Sequence, residues 1–574
     1  MSLSRHVNPD DIFPQGIQLS DQAEAGNGYQ LTPYSGPYES QRGIPKYKIP
    51  QDGASGDTVY AMIKDELDLD GRPSLNLASF VNTYIEENAQ RLMVENMAKN
   101  LADNDEYPAM LSISDRCVSI LAHLWGVQEG EKAIGAPTTG SSEAIHLGGL
   151  AMKRRWQELR RSQGKDTLKP NIIMGANAQV ALEKFARYFE VEARILPVSA
   201  KSKFRLDPDL VRENIDENTI GVFVILGSTY TGHYEPVEEI SQILDEYQEK
   251  TGIDIPIHVD AASGGFVAPF AHAQAGGPKW DFNLPRVKSI NTSGHKYGLV
   301  TPGVGWIVWR DESFLPKHLI FELHYLGGTE QSFTLNFSRP GSQIIVQYYN
   351  LIHLGFSGYR QIIENCLANA RVLSRSLEAT GWYVCVSDIH RPVDKGSNPG
   401  AAQVASEAPD KVKDAVTSAI GSQEKPRTET SADFVAGLPV VSFRFTDEFK
   451  REFPHIQQET VSLLLRARQW IIPNYALPPK EDGTEILRVV IRENMSFDLL
   501  DRLVTDIVQV TETLIDHDGG DLSILQKHVH KSHRHPAQKG NHHKKDKHGA
   551  VKKTEEEVGK DVKRMAEGIH RSVC

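Results

Sequence analysis

The eight residues Thr219-Ile-Gly-Val-Phe-Val-Ile-Leu226 form an almost unbroken apolar run. Polar and apolar residues do not alternate in it, so neither face is written for water. The run is too short for a typical helix and rich in β-branched residues. It reads as a strand buried on both faces, which implies a mainly parallel sheet with helices on each side. The surrounding sequence repeats the theme. Helices are predicted at Cys117–Trp125, Ser141–Trp156, Gln179–Tyr188 and Val237–Lys250. Strands are predicted at Asn171–Met174, Ala193–Pro197, Ile255–Val259 and Val304–Trp309. Such alternation defines an α/β architecture.

The chain has 574 residues, more than a single core of ordinary size. Helices at about 342–354 and 359–380, then strands at about 383–386, 438–445 and 486–491, predict a smaller α+β domain. The expected organisation is an extended arm at 1–60, a large domain at 61–345, a small domain at 346–515 and a basic tail at 516–574. Helical patterning begins near Val59, and Leu92, Met93, Met97 and Leu101 predict a helix over 86–101. Residues 391–433, rich in Pro, Ser, Ala, Gly and charge, read as a disordered surface insertion.

Net charge is −12, but Asp521 to Cys574 holds 13 Lys/Arg and 7 Asp/Glu, or +6, leaving −18 on the rest. An acidic body argues against nucleic-acid binding. No apolar run approaches the roughly 18–20 residues of a membrane span. The first residues carry no apolar segment of a secretory signal, and the four cysteines are scattered. A cytoplasmic protein is expected.

Three segments carry chemistry. In Ser289-Ile-Asn-Thr-Ser-Gly-His-Lys-Tyr-Gly298, a lysine follows a histidine in a small-residue turn after a strand. That is how a Schiff-base lysine is presented to pyridoxal phosphate (PLP), although an exposed loop lysine reads the same way in isolation. His258-Val-Asp-Ala-Ala-Ser-Gly-Gly265 sets Asp260 at the C-terminal end of a strand, where ligands of open α/β sheets bind. A carboxylate there can pair with a pyridinium nitrogen. Gly140-Ser141-Ser142-Glu143-Ala144 opens a helix with two hydroxyls and free N–H groups, which suits a phosphate. Together the three point to PLP, with no metal.

The sequence resembles the PLP-dependent group II decarboxylases, and within them the bacterial, plant and fungal branch that acts on glutamate. The blocks that carry the resemblance are Leu77-Ala-Ser-Phe80, Asp105-Glu-Tyr-Pro108, Gly140–Ala144, Lys184-Phe-Ala-Arg-Tyr188, Thr229-Tyr-Thr-Gly232, His258–Gly265 with Ala268-Pro-Phe270, Leu284-Pro-Arg-Val-Lys288, Ser293–Gly298, Tyr325-Leu-Gly-Gly328 and Asn336-Phe-Ser-Arg-Pro340. Ser263 matches this branch, where animal-type relatives usually carry an aromatic residue.

The resemblance implies the fold-type-I PLP transferase architecture, with a seven-stranded, mainly parallel sheet. It implies decarboxylation of L-glutamate to 4-aminobutyrate and CO2, with decarboxylation of another amino acid, or a related PLP lyase reaction, as the alternative. By the same resemblance Lys296 binds the cofactor, His295 lies against it and Asp260 pairs with its pyridine nitrogen. Ser141, Ser142 and Ser293 hold the phosphate with Ser338 of a neighbouring subunit, and Gln179 and Thr229 contact the ring region. Ser79 and Phe80, with Asn100 and Asp103 nearby, match the segment for the distal carboxylate. Ser79 stands where the family usually has Thr. Arg488 matches the arginine for the α-carboxylate, with Arg492 as its rival. Tyr325 lies in a Gly-flanked segment suited to a lid, and returns a proton to Cα or merely packs. A homo-oligomer, either a dimer or a dimer-based hexamer, is implied as well.

The tail from Lys527 to His548 is dense in histidine, including His528, His530, His533, His535, His542, His543 and His548. It reads as a solvated, disordered segment. Metal or pH sensing by the histidines is the alternative. Calmodulin recognition, known in plant relatives, is disfavoured, because apolar anchors are few and no Trp is present.

Overall fold

The computed structural model describes residues 49, 53–103, 105–273, 277–323, 330–393 and 430–516. Tyr325, most of the 391–433 insertion and all but the first residue of the 516–574 tail lie outside them. The chain divides into two units, Met1–Pro73 and Ser74–Cys574. In the first, helix α1 (Gly56–Leu67) begins where Ser55 Oγ accepts the Thr58 N–H, four residues inside the expected arm.

The second unit contains a seven-stranded sheet. Its strands are β1 (Ile134–Thr138), β2 (Asn171–Gly175), β3 (Glu192–Leu196), β4 (Thr219–Ile225), β5 (Ile257–Asp260), β6 (Val287–Ser293) and β7 (Gly305–Trp309). Their order is β1-β7-β6-β5-β4-β2-β3. The pairs β3–β2, β2–β4, β4–β5 and β5–β6 are parallel, whereas β7 runs antiparallel to both β6 and β1. All seven residues of β4 are buried, as its unbroken apolar run requires. Helices α2 (Glu87–Glu95) and α3 (Pro108–Leu124) precede β1, and between the strands lie α4 (Ser141–Ser162), α5 (Val180–Tyr188), α6 (Pro208–Asn214) and α7 (Val237–Thr251).

After the long helix α8 (Ser342–Ala379) comes a second, antiparallel sheet. It holds β8 (Tyr383–Cys385), β9 (Val440–Phe445), β10 (Asn474–Ala476) and β11 (Glu485–Val490) in the order β8-β9-β11-β10. Helices α9 (Asp447–Glu452), α10 (Gln458–Ala467) and α11 (Phe497–Asp516) belong to this half. It has its own apolar core, in which Leu373, Phe443, Leu487, Leu503 and Ile507 are fully enclosed.

Two expectations are corrected, the helix over 86–101 and the disorder at the ends of the 391–433 insertion, and one is borne out. The helix predicted over 86–101 stops at Glu95. The Asn96 side chain turns back to donate to Leu92 O at 2.8 Å, and Leu101 is buried outside the helix. The two helices predicted at 342–354 and 359–380 are both present: they are the arms of α8, which meet at Gly355, whose φ of 59° and ψ of −171° are non-helical and suit a residue without Cβ. The ends of the 391–433 insertion are ordered: Val393 N donates to Asp433 O at 3.0 Å and Val435 N to Arg391 O at 2.9 Å.

Candidate functional site

The C-terminal ends of β5 and β6 and the N-terminus of α4 meet on one face of the large sheet. Side chains alternate along a strand, and parallel partners point the same way. Register pairs His258 with Ser289 and Asp260 with Asn291, so these four lie on one face in two adjacent rows. Ser293, the last residue of β6, continues that face. Lys296 follows in a turn closed by Val300 N donating to Gly294 O at 3.1 Å.

Lys296 is buried, and its Nζ donates to Ser263 Oγ at 3.3 Å. The same ammonium stands 5.4 Å from the centre of the Phe80 ring, and the Arg488 guanidinium 5.3 Å from that ring. The Phe80 ring is thus shared by two cationic side chains that are 192 positions apart in sequence. Arg488 donates to Thr229 O at 2.9 Å and to Ala78 O, and it also faces the Tyr475 ring. Thr229 Oγ1 accepts from Gln179 Nε2 at the head of α5. Ser79 Oγ accepts the Val81 N–H at 3.1 Å, and Asn82 N donates to His295 O at 2.9 Å. Lys296, His295, Phe80, Ser79, Arg488, Thr229 and Gln179 therefore form one connected site. Arg492 instead donates to Val81 O and Asn76 O and so anchors the 76–83 segment from behind.

Asp260 is fully buried. Burial raises its pKa, while Asn291, Lys296 and the Ala262 N–H pull the other way. Asn291 Nδ2 donates to Asp260 Oδ1 at 2.9 Å and Ala262 N to the same oxygen at 3.1 Å. His295 is held neutral: burial and the adjacent Lys296 lower its pKa to about 4, against the opposing bond to Val304 O.

The N-terminus of α4 is built for an anion. Its N-cap, Gly140, has no side chain to satisfy the free N–H groups of Ser141 and Ser142. Gly305 of β7 packs directly beneath, where a Cβ would come within 2.5 Å of Gly140 C. Ser293 Oγ is buried without a hydrogen-bond partner. An orphaned hydroxyl beside an uncapped helix start fits a phosphate.

Three predicted residues form a separate hydrogen-bonded group. Asn100 Nδ2 donates to Asp103 Oδ1 at 3.2 Å and to Ser338 Oγ at 3.3 Å, and Ser338 is exposed. The hydrogen bonds among them do not lead to Lys296. Sequence reasoning missed Asn291, His258 and Tyr475 as parts of the site. Asn291 and His258 sit inside motifs whose period-2 spacing from Ser293 and Asp260 places them on the same face. One group of metal-ligand type occurs among the described residues, Glu378 with Cys385 and His390. Its carboxylate is already taken by His390 Nε2 at 3.2 Å and by Arg391 at 2.5 Å.

A parallel sheet with a buried lysine after one strand, a carboxylate at the end of its neighbour and a phosphate cradle at a helix start defines a fold-type-I PLP enzyme. The comparisons with known proteins make this specific. The family model described as "Pyridoxal-dependent decarboxylase conserved domain" matches residues 50–393. The glutamate decarboxylase of Saccharomyces cerevisiae is 49% identical over 486 residues, covering 82% of this chain and 79% of that one. The Petunia hybrida glutamate decarboxylase is 44% identical over 473 residues, 82% and 84% of the two chains. The solved glutamate decarboxylase of Lactobacillus brevis superposes with a TM-score of 0.71 at 35% identity, over 82% of this chain and 96% of that one. The chain belongs to the pyridoxal-dependent decarboxylases, and its cofactor is PLP. Among the described residues no helix is long and apolar enough to cross a membrane.

Proposed function

We propose that the chain removes the α-carboxylate of L-glutamate as CO2 and yields 4-aminobutyrate. The observation that carries this reading is the shared Phe80 ring, which joins the cofactor lysine to the arginine expected to bind substrate. PLP supplies an electron sink for the pair released as the carboxylate leaves. Lys296 would hold the cofactor, and Ser263 is the hydroxyl that receives its Nζ. Asp260, whose Oδ1 accepts two N–H donors, would pair with the pyridine nitrogen. Neutral His295 lies against the ring without adding a cation next to Lys296. Ser141, Ser142 and Ser293 bind the phosphate, and Gln179 and Thr229 border the ring.

Arg488 orients the α-carboxylate, because its buried guanidinium is already aimed by Thr229 O and Ala78 O. Arg492 is a positioning residue of the 76–83 segment. Ser79 and Phe80 face the distal carboxylate, and Ser79 keeps the hydroxyl despite lacking the methyl of Thr. Asn100 and Asp103 lie near the distal-carboxylate segment, and Ser338 completes the phosphate site of a second copy in a homodimer or a dimer-based hexamer. The exposure of Ser338 and its bond from Asn100 support that role. Tyr325 is proposed as the proton donor to Cα, and the protein as cytoplasmic.

The test is incubation with a panel of L-amino acids, with and without PLP. Production of 4-aminobutyrate from glutamate alone is expected. Turnover of another amino acid with none of glutamate would refute the proposal. Lys296→Ala should abolish absorbance at about 420 nm, where PLP imines absorb.

A further inference from the structure

Asn291 is not among the residues expected to touch PLP, yet it joins two that are. Its Nδ2 donates to Asp260 Oδ1 at 2.9 Å and also to Ser141 Oγ. Asp260 belongs to the pyridine end of the site and Ser141 to the phosphate end. The orientation of the amide is fixed by chemistry. A carboxylate accepts only, so the NH2 group must face Asp260. Asn291 Oδ1 is then left for His258 Nε2, at 2.7 Å, which must carry the proton. His258 Nδ1 accepts from Ser289 Oγ, also at 2.7 Å. His258 is fully buried, and burial lowers its pKa to about 4, so the neutral Nε2–H form is the resident one. Gly148 of α4 makes room for its ring: a Cβ there would lie 2.5 Å from His258 Cε1.

Two consequences follow from this wiring. Both donors to Asp260 land on Oδ1, so Oδ2 takes neither and is kept for the pyridine N–H. The Ser141 oxygen accepts from Asn291, so its own proton is free to be donated outward to a phosphate oxygen. We infer that Asn291 is a positioning residue that sets both ends of the PLP site at once, with neutral His258 as the lock that stops its amide from flipping. This inference rests on the reading of the Lys296 site as the PLP site.

The test uses the full chain, freed of cofactor and reconstituted with PLP labelled with nitrogen-15 in the pyridine ring. Asn291→Ala and the isosteric Asn291→Asp are compared with the unmodified protein. In both variants the PLP dissociation constant should rise about tenfold or more, the scale of one lost hydrogen bond to a charged group. The pyridine nitrogen-15 resonance should move from its protonated toward its unprotonated position. A merely structural defect would not move that resonance in protein that still binds PLP. If Asn291→Ala fails to fold, Asn291→Asp, which keeps the side-chain volume, decides alone. A variant that binds PLP with an unmoved resonance overturns the inference, whatever its affinity. Failure of the unmodified chain to bind PLP would overturn the underlying reading as well, and so is distinguishable.

Discussion

Gly148→Ala sets two effects of opposite sign against each other. Gly148 lies well inside helix α4, where Ala is worth about 1 kcal/mol more than Gly. The substitution should therefore stabilise the protein if the site were open. It is not: the new methyl would sit 2.5 Å from His258 Cε1, and contacts of that length do not occur between ordinary atoms. His258 cannot retreat cheaply, because it is fully buried and tied through both ring nitrogens at 2.7 Å. Overpacking costs roughly 1–3 kcal/mol, and a displaced ring that leaves one buried partner unsatisfied costs about 1–3 kcal/mol more. Less the helix gain, the net is a loss of roughly 1–5 kcal/mol. Urea unfolding of the cofactor-free chain, followed by circular dichroism, should show a lower midpoint. In a His258→Ala background the same substitution should raise it, since the obstacle is gone. A higher midpoint with His258 intact would refute the reasoning.

Ser293→Ala removes a buried hydroxyl that has no partner, so the cofactor-free chain should keep or gain stability, by up to about 1–3 kcal/mol. The same variant should bind PLP more weakly; equal affinity would remove Ser293 from the phosphate site. Arg488→Lys should lower kcat/KM for glutamate by roughly 10- to 150-fold, the worth of about 1.5–3 kcal/mol for a hydrogen bond to a charged group. Glu235 is fully buried and accepts from Ile225 N, Asn177 and Leu206 N, yet burial raises its pKa from 4.5 to about 7. A folded-state value above the unfolded one means that stability is full below pH 4.5 and is lost as pH rises to about 7. The shift amounts to about 3 kcal/mol. Glu235→Gln should flatten this dependence, as read from urea midpoints across that range; an unchanged slope would count against it.

The strands that the sequence made legible are those with unbroken apolar runs. β4 was read to within a residue because Thr219–Leu226 leaves no alternative. β1 was not, because Ile134-Gly-Ala-Pro-Thr138 contains the two residues that usually mark turns. Its place at the sheet edge and its close packing explain both: Pro137 is tolerated there, and a Cβ on Gly135 would meet Val118. The break between the two arms of α8 was legible as a gap in the helical pattern, and Gly355 occupies it with a non-helical backbone. Helix α11 was legible yet unread, since Leu500, Leu503, Val504, Ile507 and Leu514 keep helical spacing. Most site residues lay in recognisable motifs. The links between them were not visible, because Asn291 gains its meaning only from strand register.

The grip of Arg488 on Ala78 O closes a span of 410 residues. Thr83 and Glu493 close another of the same length. During synthesis, the Leu77–Thr83 segment therefore waits until almost the whole catalytic chain has left the ribosome. A chain stalled before β11 holds the strands of the large sheet but no means of fixing its substrate segment. The substrate segment thus takes its final place only after β11 has joined the second sheet, so the order of synthesis puts the sheet first and the substrate segment last.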